Sequence, residues 1–239
     1  MKSPYGLEII ESCVTCELRA DRLFCSLSLP VLQAFEAIKY ATVYPKGAML
    51  FVEGQAPRGI FVMCNGRVKL STCSSDGKTI ITQIAGPGEV IGLSASISGR
   101  AYEVTAETLA PCQVNFVRRE DFLRFLSEHS EAALRVAEHL SNYYHIAYEQ
   151  VRSLGLARSA PAKLAKLLLE WCDGDGKLTD QGIRLKVLLT HEEIAQMIGS
   201  SRETVTRMLA ELKTKEIIQQ KGSSLFIRDR SALESLVGA

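Results

Sequence analysis

Leu189-Thr-His-Glu-Glu-Ile-Ala-Gln-Met-Ile-Gly-Ser-Ser-Arg-Glu-Thr-Val-Thr-Arg-Met-Leu-Ala-Glu-Leu212 carries two helix signatures back to back. Thr190 followed three residues later by Glu193 is a capping box, in which each side chain satisfies a backbone N–H that the first helical turn leaves open. Ile194, Met197 and Ile198 give that helix an apolar face, and Gly199 suits its end. Ser200 with Glu203 has the same spacing and predicts a second helix. Two short helices joined by a tight turn at a glycine form a helix-turn-helix.

On the second helix Val205, Met208, Leu209 and Leu212 repeat at helical spacing and define the buried stripe. At about 100° per residue, Arg207 falls about 40° round from Glu203 and Val205 about 200° round. Glu203 and Arg207 therefore share the outer face near the helix start, the end that enters a major groove. A carboxylate can accept from a cytosine amino group and a guanidinium can fork to the guanine acceptors. Arg202 can read a base edge or hold a phosphate. Ser200, Ser201 and Thr206 sit at the same end. The competing account of Glu203 and Arg207 is an ordinary exposed i,i+4 ion pair. Ile217–Ile227 follows, reads as a two-stranded wing, and adds Lys221 as a candidate backbone contact.

Working toward the N-terminus, Ser130–Leu156 holds no Pro and a single Gly, Gly155. Ala133, Ala137, Leu140, Tyr144, Ala147, Val151 and Leu154 are spaced alternately by four and three, as in the seam of a two-stranded coiled coil. That spacing predicts a dimerisation helix; the alternative is a stripe packed on the chain's own β-domain. From Tyr44 to Val117, short β-branched or aromatic runs alternate with glycine-bearing turns. Roughly eight antiparallel strands are expected, a jelly roll. The strongest turn signal is Asn65-Gly66, read as a hairpin joining 59–64 to 67–73. Ser74–Gly77 is a second. The expected fold is α+β, with an N-terminal segment (1–29), an antiparallel β-roll (30–128), a dimerisation helix (129–156) and a winged helix-turn-helix (157–239).

The 239 residues carry 28 Lys+Arg against 27 Asp+Glu, a net charge of +1, and 46% are hydrophobic. No whole-molecule field announces nucleic acid or membrane, so DNA binding rests on local pattern. No apolar run is long enough to span a bilayer, and residues 1–20 lack the apolar stretch of an export signal. A cytoplasmic location is expected. Seven cysteines, an odd number, argue against a disulfide framework. No Gly-rich phosphate loop with its lysine and no Ser/His/Asp arrangement points to an enzyme.

With these residues in view, the chain resembles the Crp/Fnr family of bacterial transcription regulators over essentially its whole length. The resemblance rests on the glycine-punctuated roll, the long helix after it, and Ser201-Arg-Glu-Thr-Val-Thr-Arg207. It implies a homodimer that reads a TGTGA-type palindrome through Arg202, Glu203 and Arg207, with RNA polymerase as a further partner. Some family members bind cyclic AMP with a glutamate after a glycine and an adjacent Arg-Ser pair. Here the region Gly88–Glu103 places Leu93 where that glutamate is expected and Tyr102-Glu103 where Arg-Ser is expected. A carboxylate there would repel a phosphate, so cyclic AMP is not expected. Gly88, Glu89, Arg100, Tyr102 and Glu103 mark the ligand-pocket region, Arg100 being its nearby cation. A regulatory subunit of an enzyme is the alternative that a cyclic-nucleotide-type roll leaves open.

The cysteines suggest another input. The resemblance to the oxygen-sensing Fnr branch places Cys13, Cys16 and Cys25 with Cys112 as ligands of a [4Fe-4S] cluster. The eight residues between Cys16 and Cys25 exceed the Fnr gap. Four cysteines could also hold a structural zinc, or all could remain thiols, with Cys112 in the core. Cys64, Cys73 and Cys172 read as small buried hydrophobes. His129, His139, His145 and His191 share no ligand spacing.

Overall fold

The computed structural model describes residues 5–7, 9–16, 23–155, 159–222 and 224–238, and the chain divides into two compact units, 1–148 and 149–239. In the first unit, helix α1 (Leu29–Ile38) precedes β1 (Lys39–Tyr44), β2 (Met49–Phe51), β3 (Gly59–Asn65), β4 (Val68–Cys73), β5 (Thr79–Ala85) and β6 (Val90–Ile91). A short helix α2 (Leu93–Ser98), strands β7 (Thr105–Thr108) and β8 (Cys112–Arg118), helix α3 (Arg119–Glu128) and helix α4 (Ser130–Gly155), whose last residues belong to the second unit, follow. The eight strands form two four-stranded antiparallel sheets, ordered β1-β8-β3-β6 and β2-β7-β4-β5.

Asn65-Gly66 does not close a hydrogen-bonded hairpin. Strand β3 pairs with β8 and β6, and β4 with β5 and β7, so this turn carries the chain from one sheet to the other. The positive φ of Gly66, 87°, allows it, and a Cβ there would meet Cys112 Sγ at 2.5 Å. The true hairpin is β4–β5, closed where Gly77 N–H donates to Ser74 O at 2.9 Å.

Alternation along the strands divides the packing in two. Phe61, Met63, Cys112, Val114 and Phe116 point between the sheets, with Leu50, Phe51, Val68, Leu70 and Ala106. Ile60, Val62 and Val117 face outward onto Phe24, Phe35, Phe122, Phe125, Ala132 and Val136. Phe24 stacks on Phe35 at 4.9 Å and meets Phe122 edge-on at 5.9 Å, favoured aromatic geometries.

In the second unit, α5 (Ala160–Asp175), β9 (Lys177–Thr179), β10 (Gly182–Lys186), α6 (His191–Ile198), α7 (Arg202–Thr214), β11 (Ile218–Lys221), β12 (Ser224–Ile227) and α8 (Arg230–Gly238) enclose a separate core. The expected two-stranded wing is part of a four-stranded sheet, β11-β12-β10-β9. Lys177–Thr179 and Gly182–Lys186 are too short and polar to have stood out as strands.

Candidate nucleic-acid interface and cysteine cavity

Helix α6 opens as its sequence foretells. Thr190 Oγ1 accepts from Glu193 N–H at 3.2 Å, Glu193 Oε2 accepts from Thr190 N–H at 2.9 Å, and Gly199 closes the helix at φ 63°. The second cap is Ser201 rather than Ser200. Ser201 Oγ accepts from Thr204 N–H at 3.2 Å, and the helix starts at Arg202. Ser200 N–H instead donates to Ala195 O at 2.9 Å, as part of the turn.

Val205, Met208, Leu209 and Leu212 are buried, while Arg202, Glu203, Thr206 and Arg207 are exposed. The first two turns of α7 thus present two guanidiniums and a carboxylate to solvent. Arg207 lies 4.0 Å from Glu211 rather than pairing with Glu203, and both side chains are well exposed. Such a pair is weak and exchangeable, so the guanidinium is available to another acceptor. Glu203 turns toward the helix start, where backbone N–H and Ser201 hydrogen bonds hold its carboxyl below the usual range. Thr206 Oγ1 donates to Arg202 O at 2.9 Å and lies 2.9 Å from His191 Nδ1, linking the start of α6 to α7. That histidine was not a candidate by spacing; only the docking of the helices reveals it. Lys221 Nζ donates to Gln181 Oε1 at 2.6 Å and lies 5.8 Å from the Phe226 ring, on the exposed wing.

In the roll, the ligand-pocket region is occupied by the protein's own contacts. Tyr102 is 2% exposed, stacks on Phe51 at 4.0 Å and donates from its hydroxyl to Gly59 O at 2.9 Å. Glu89 accepts from Gln83 Nε2 at 2.7 Å and from Gly86 N–H. Beyond Gln83 stands Tyr143 of α4, whose acidity is suppressed by burial and by Glu89 and Glu103 nearby. Arg100 is exposed.

The structure separates Cys112 from the N-terminal cysteines. Its side chain is buried between the sheets and its Sγ donates to Ala110 O at 3.1 Å and Arg67 O at 3.3 Å. Cys112 sits on the inner face of β8, whereas Gln113 and Asn115 occupy the outer face. Cys112 does not line the cavity that Cys13, Cys16 and Cys25 share. Gln113 clamps Ile10 from both sides, donating to its carbonyl at 2.7 Å and accepting from its N–H at 2.8 Å. Cys13 N–H donates to Glu36 Oε1 at 2.9 Å, and Asn115 Nδ2 donates to Cys13 Sγ at 3.5 Å.

Cys13, Cys16, Cys25 and Cys64 line one cavity of about 30 Å³, together with Asn115 and apolar side chains that include Phe24, Leu32 and Phe35. Cys64 lies on β3, on its outer face, and is not the fully buried hydrophobe its sequence suggests; Cys73 is exposed outright. Burial, then the neighbouring thiols of Cys13, Cys25 and Cys16, push the Cys64 thiol up to about 12. Burial also raises Cys13, against the lowering effect of Lys39. Among the described residues, no three His, Cys, Asp or Glu side chains are already arranged as a metal site. The four thiols surround a space rather than converge on a point.

Along α4, Ala132 and Val136 are buried against the roll, and Ala133 and Leu140 of the expected seam are half-buried. Ala137, Tyr144 and Ala147 are exposed, with Tyr144 67% and Tyr148 58% exposed and their rings stacked at 6.4 Å. Val151 and Leu154 lie outside the described side chains.

A β-roll followed by a long helix and a winged helix-turn-helix is the architecture of a DNA-binding regulator, and comparison with known proteins agrees. A cyclic nucleotide-binding domain matches residues 41–129 and a Crp-like helix-turn-helix domain residues 162–236. The chain belongs to the Crp/Fnr family of transcription regulators. The chain is 25% identical over 190 residues to the CRP-like cAMP-activated global transcriptional regulator of Mycobacterium tuberculosis, covering 80% of this chain and 84% of that one. It is 25% identical over 224 residues to the transcriptional activatory protein AadR of Rhodopseudomonas palustris, covering 94% and 92%. The solved structure of FixK2 from Bradyrhizobium japonicum superposes with a TM-score of 0.75 at 24% identity, covering 84% of this chain and 98% of that one. These relatives are regulators rather than enzymes, which sets aside the enzyme-subunit alternative. Regulators of this family bind DNA and typically dimerise. Among the described residues, no helix is long and apolar enough to cross a membrane.

Proposed function

We propose that the protein is a homodimeric, sequence-specific transcription regulator that reads a TGTGA-like palindrome through α7. The observation that carries this is the exposed face of the first two turns of α7, where Arg202, Glu203 and Arg207 project from a helix fixed by the Ser201 cap and a buried opposite stripe. Their chemistry matches guanine and cytosine edges in a major groove. Ser200, Ser201, Thr206 and Lys221 flank them as backbone contacts. The exposed tyrosines of α4 supply the dimer contact, so that two α7 helices face half-sites about one helical turn apart. Contact with RNA polymerase and a cytoplasmic location follow from likeness to the family.

The signal is not cyclic AMP in this reading. Tyr102 fills the position where an arginine would meet the cyclic phosphate, and Glu89 and Glu103 bring negative charge to the same region. The input is placed at the N-terminal thiols, where an iron-sulfur cluster would supply an oxygen-sensitive switch acting on α4 through the roll. A gel shift tests the DNA reading: the protein should retard a TGTGA palindrome at concentrations that leave a scrambled duplex of equal length free. Equal retardation of both would overturn it.

A further inference from the structure

We propose that Cys64, not Cys112, is the fourth member of a four-thiolate centre with Cys13, Cys16 and Cys25, built to hold a thiophilic metal group in the cavity beneath the N-terminal segment. This rests on the proposed sensor role of that segment and names its chemistry.

Three independent observations converge. The first is placement: the four cysteines come from three separate parts of the chain, residues 13–16, 25 and strand β3, yet line the same cavity. Apart from one amide the described walls are apolar, so thiols are the main chemistry that the space offers. The second is that amide. Asn115 is 1% exposed, donates to Cys13 Sγ, and leaves its Oδ1 without a hydrogen-bond partner among the described residues. A buried orphan of this kind is rare in a finished core and is what an incompletely filled polar site leaves behind. The third is charge. Lys39 Nζ donates to Glu11 O at 2.8 Å and its charge opposes the rise that burial imposes on the Cys13 thiol, placing a cation beside a site that becomes anionic when its thiols ionise.

Binding is written as deprotonation. Four Cys S–H bonds break, four S–metal bonds form, and four protons leave to solvent, as thiolate ligation requires. A divalent ion in a four-thiolate shell carries a net charge of −2, which Lys39 partly offsets and the Asn115 amide hydrogen-bonds. Cys112 takes no part, because its sulfur points between the sheets and is already engaged by two carbonyls. Two of the ligands, Cys13 and Cys16, belong to the segment that Gln113 pins to β8 through Ile10, so occupancy of the cavity is coupled to the seating of residues 9–16 on the roll.

The test uses full-length protein, reduced and handled without air. Cobalt(II) alone is the probe, since a tetrahedral thiolate shell gives it intense visible bands. Wild type should bind one cobalt per chain with those bands. Cys64→Ser and Cys64→Ala should each lose affinity by at least about tenfold, as even an outer-shell defect costs a metal site that much. Cys112→Ser should bind as wild type does. Thermal melts followed by circular dichroism confirm that each variant is folded. Metal analysis of protein purified without air identifies the natural occupant: about four irons with equal sulfide denote a cluster, and one zinc denotes a single ion. Either supports the proposal if Cys64→Ser lacks it and Cys112→Ser retains it. Loss in Cys112→Ser with retention in Cys64→Ser would overturn it, as would a wild type that binds no cobalt. These readouts involve no DNA, so failure of α7 to bind a palindrome and failure of the metal centre are separate results.

Discussion

Tyr143 of α4 donates its hydroxyl to Gln83 Oε1 on β5 at 2.6 Å. The Gln83 amide passes on to Glu89 at 2.7 Å, so a three-member relay runs from the helix into the roll beside Gly86. This relay fastens α4 to the roll. Tyr143→Phe keeps the ring and removes the hydroxyl. It should cost about 1 kcal/mol of stability in the first unit, read by chemical denaturation with an unchanged slope. No loss would mean that water replaces the contact without penalty.

The recognition helix makes a base-specific prediction. Arg207→Ala should weaken binding to the palindrome by about 1–3 kcal/mol per half-site and relax discrimination at one base pair. Lys221→Ala should weaken all duplexes alike and lower the salt slope by about one unit. Titrations against single-substituted duplexes at several salt concentrations separate the two. Uniform loss for Arg207→Ala would place that guanidinium on the phosphate backbone.

The cap of α7 distinguishes two adjacent serines. Ser201→Ala should destabilise the second unit by about 1 kcal/mol, because Thr204 N–H loses its acceptor. Ser200→Ala should cost only a few tenths, since its backbone makes the turn contact and its side chain makes no capping bond. Thermal melts of the two variants should differ in that order.

For the dimer, Tyr144 is a cleaner probe than Leu140. Leu140 packs partly on its own outer core, so a charge there would disturb the fold as well as the partner contact. Tyr144→Glu places like charges across a two-fold axis from an exposed position. Sedimentation at micromolar concentration should show monomer with an unchanged melting profile of the roll. A persistent dimer would put the interface elsewhere.

The helix-turn-helix and the existence of eight strands were legible because each rests on short-range signals: caps at fixed spacing, a stripe at 3.6-residue period, and glycines at turns. Ser200 and Ser201 were confused because either serine precedes Arg202 closely enough to cap, and only the backbone conformation decides. The Asn65-Gly66 turn was legible as a turn but not as a crossover, since local chemistry does not say which strand a neighbour will pair with. Cys64 was hidden for a related reason. Its partners in the cavity are remote in sequence, and its alternation on β3 acquires meaning only once the N-terminal segment is known to lie over that face. Arg202, Glu203 and Arg207 stand out on α7 in both sequence and structure, whereas Tyr102 shows its effect only through the ring that it buries.

Strand β8 has a consequence for how this scaffold changes its input. Cys112, Val114 and Phe116 belong to one side and Gln113, Asn115 and Val117 to the other, so the strand is a party wall with two tenants. Substitutions at odd positions from Gln113 re-equip the outer chamber and leave the furnishings of the inner one untouched. A slip of one residue would evict both at once. Chemical novelty is therefore cheap on the outer face and ruinous in register, which lets one frame accept a different stimulus while its DNA-reading end stays as it is.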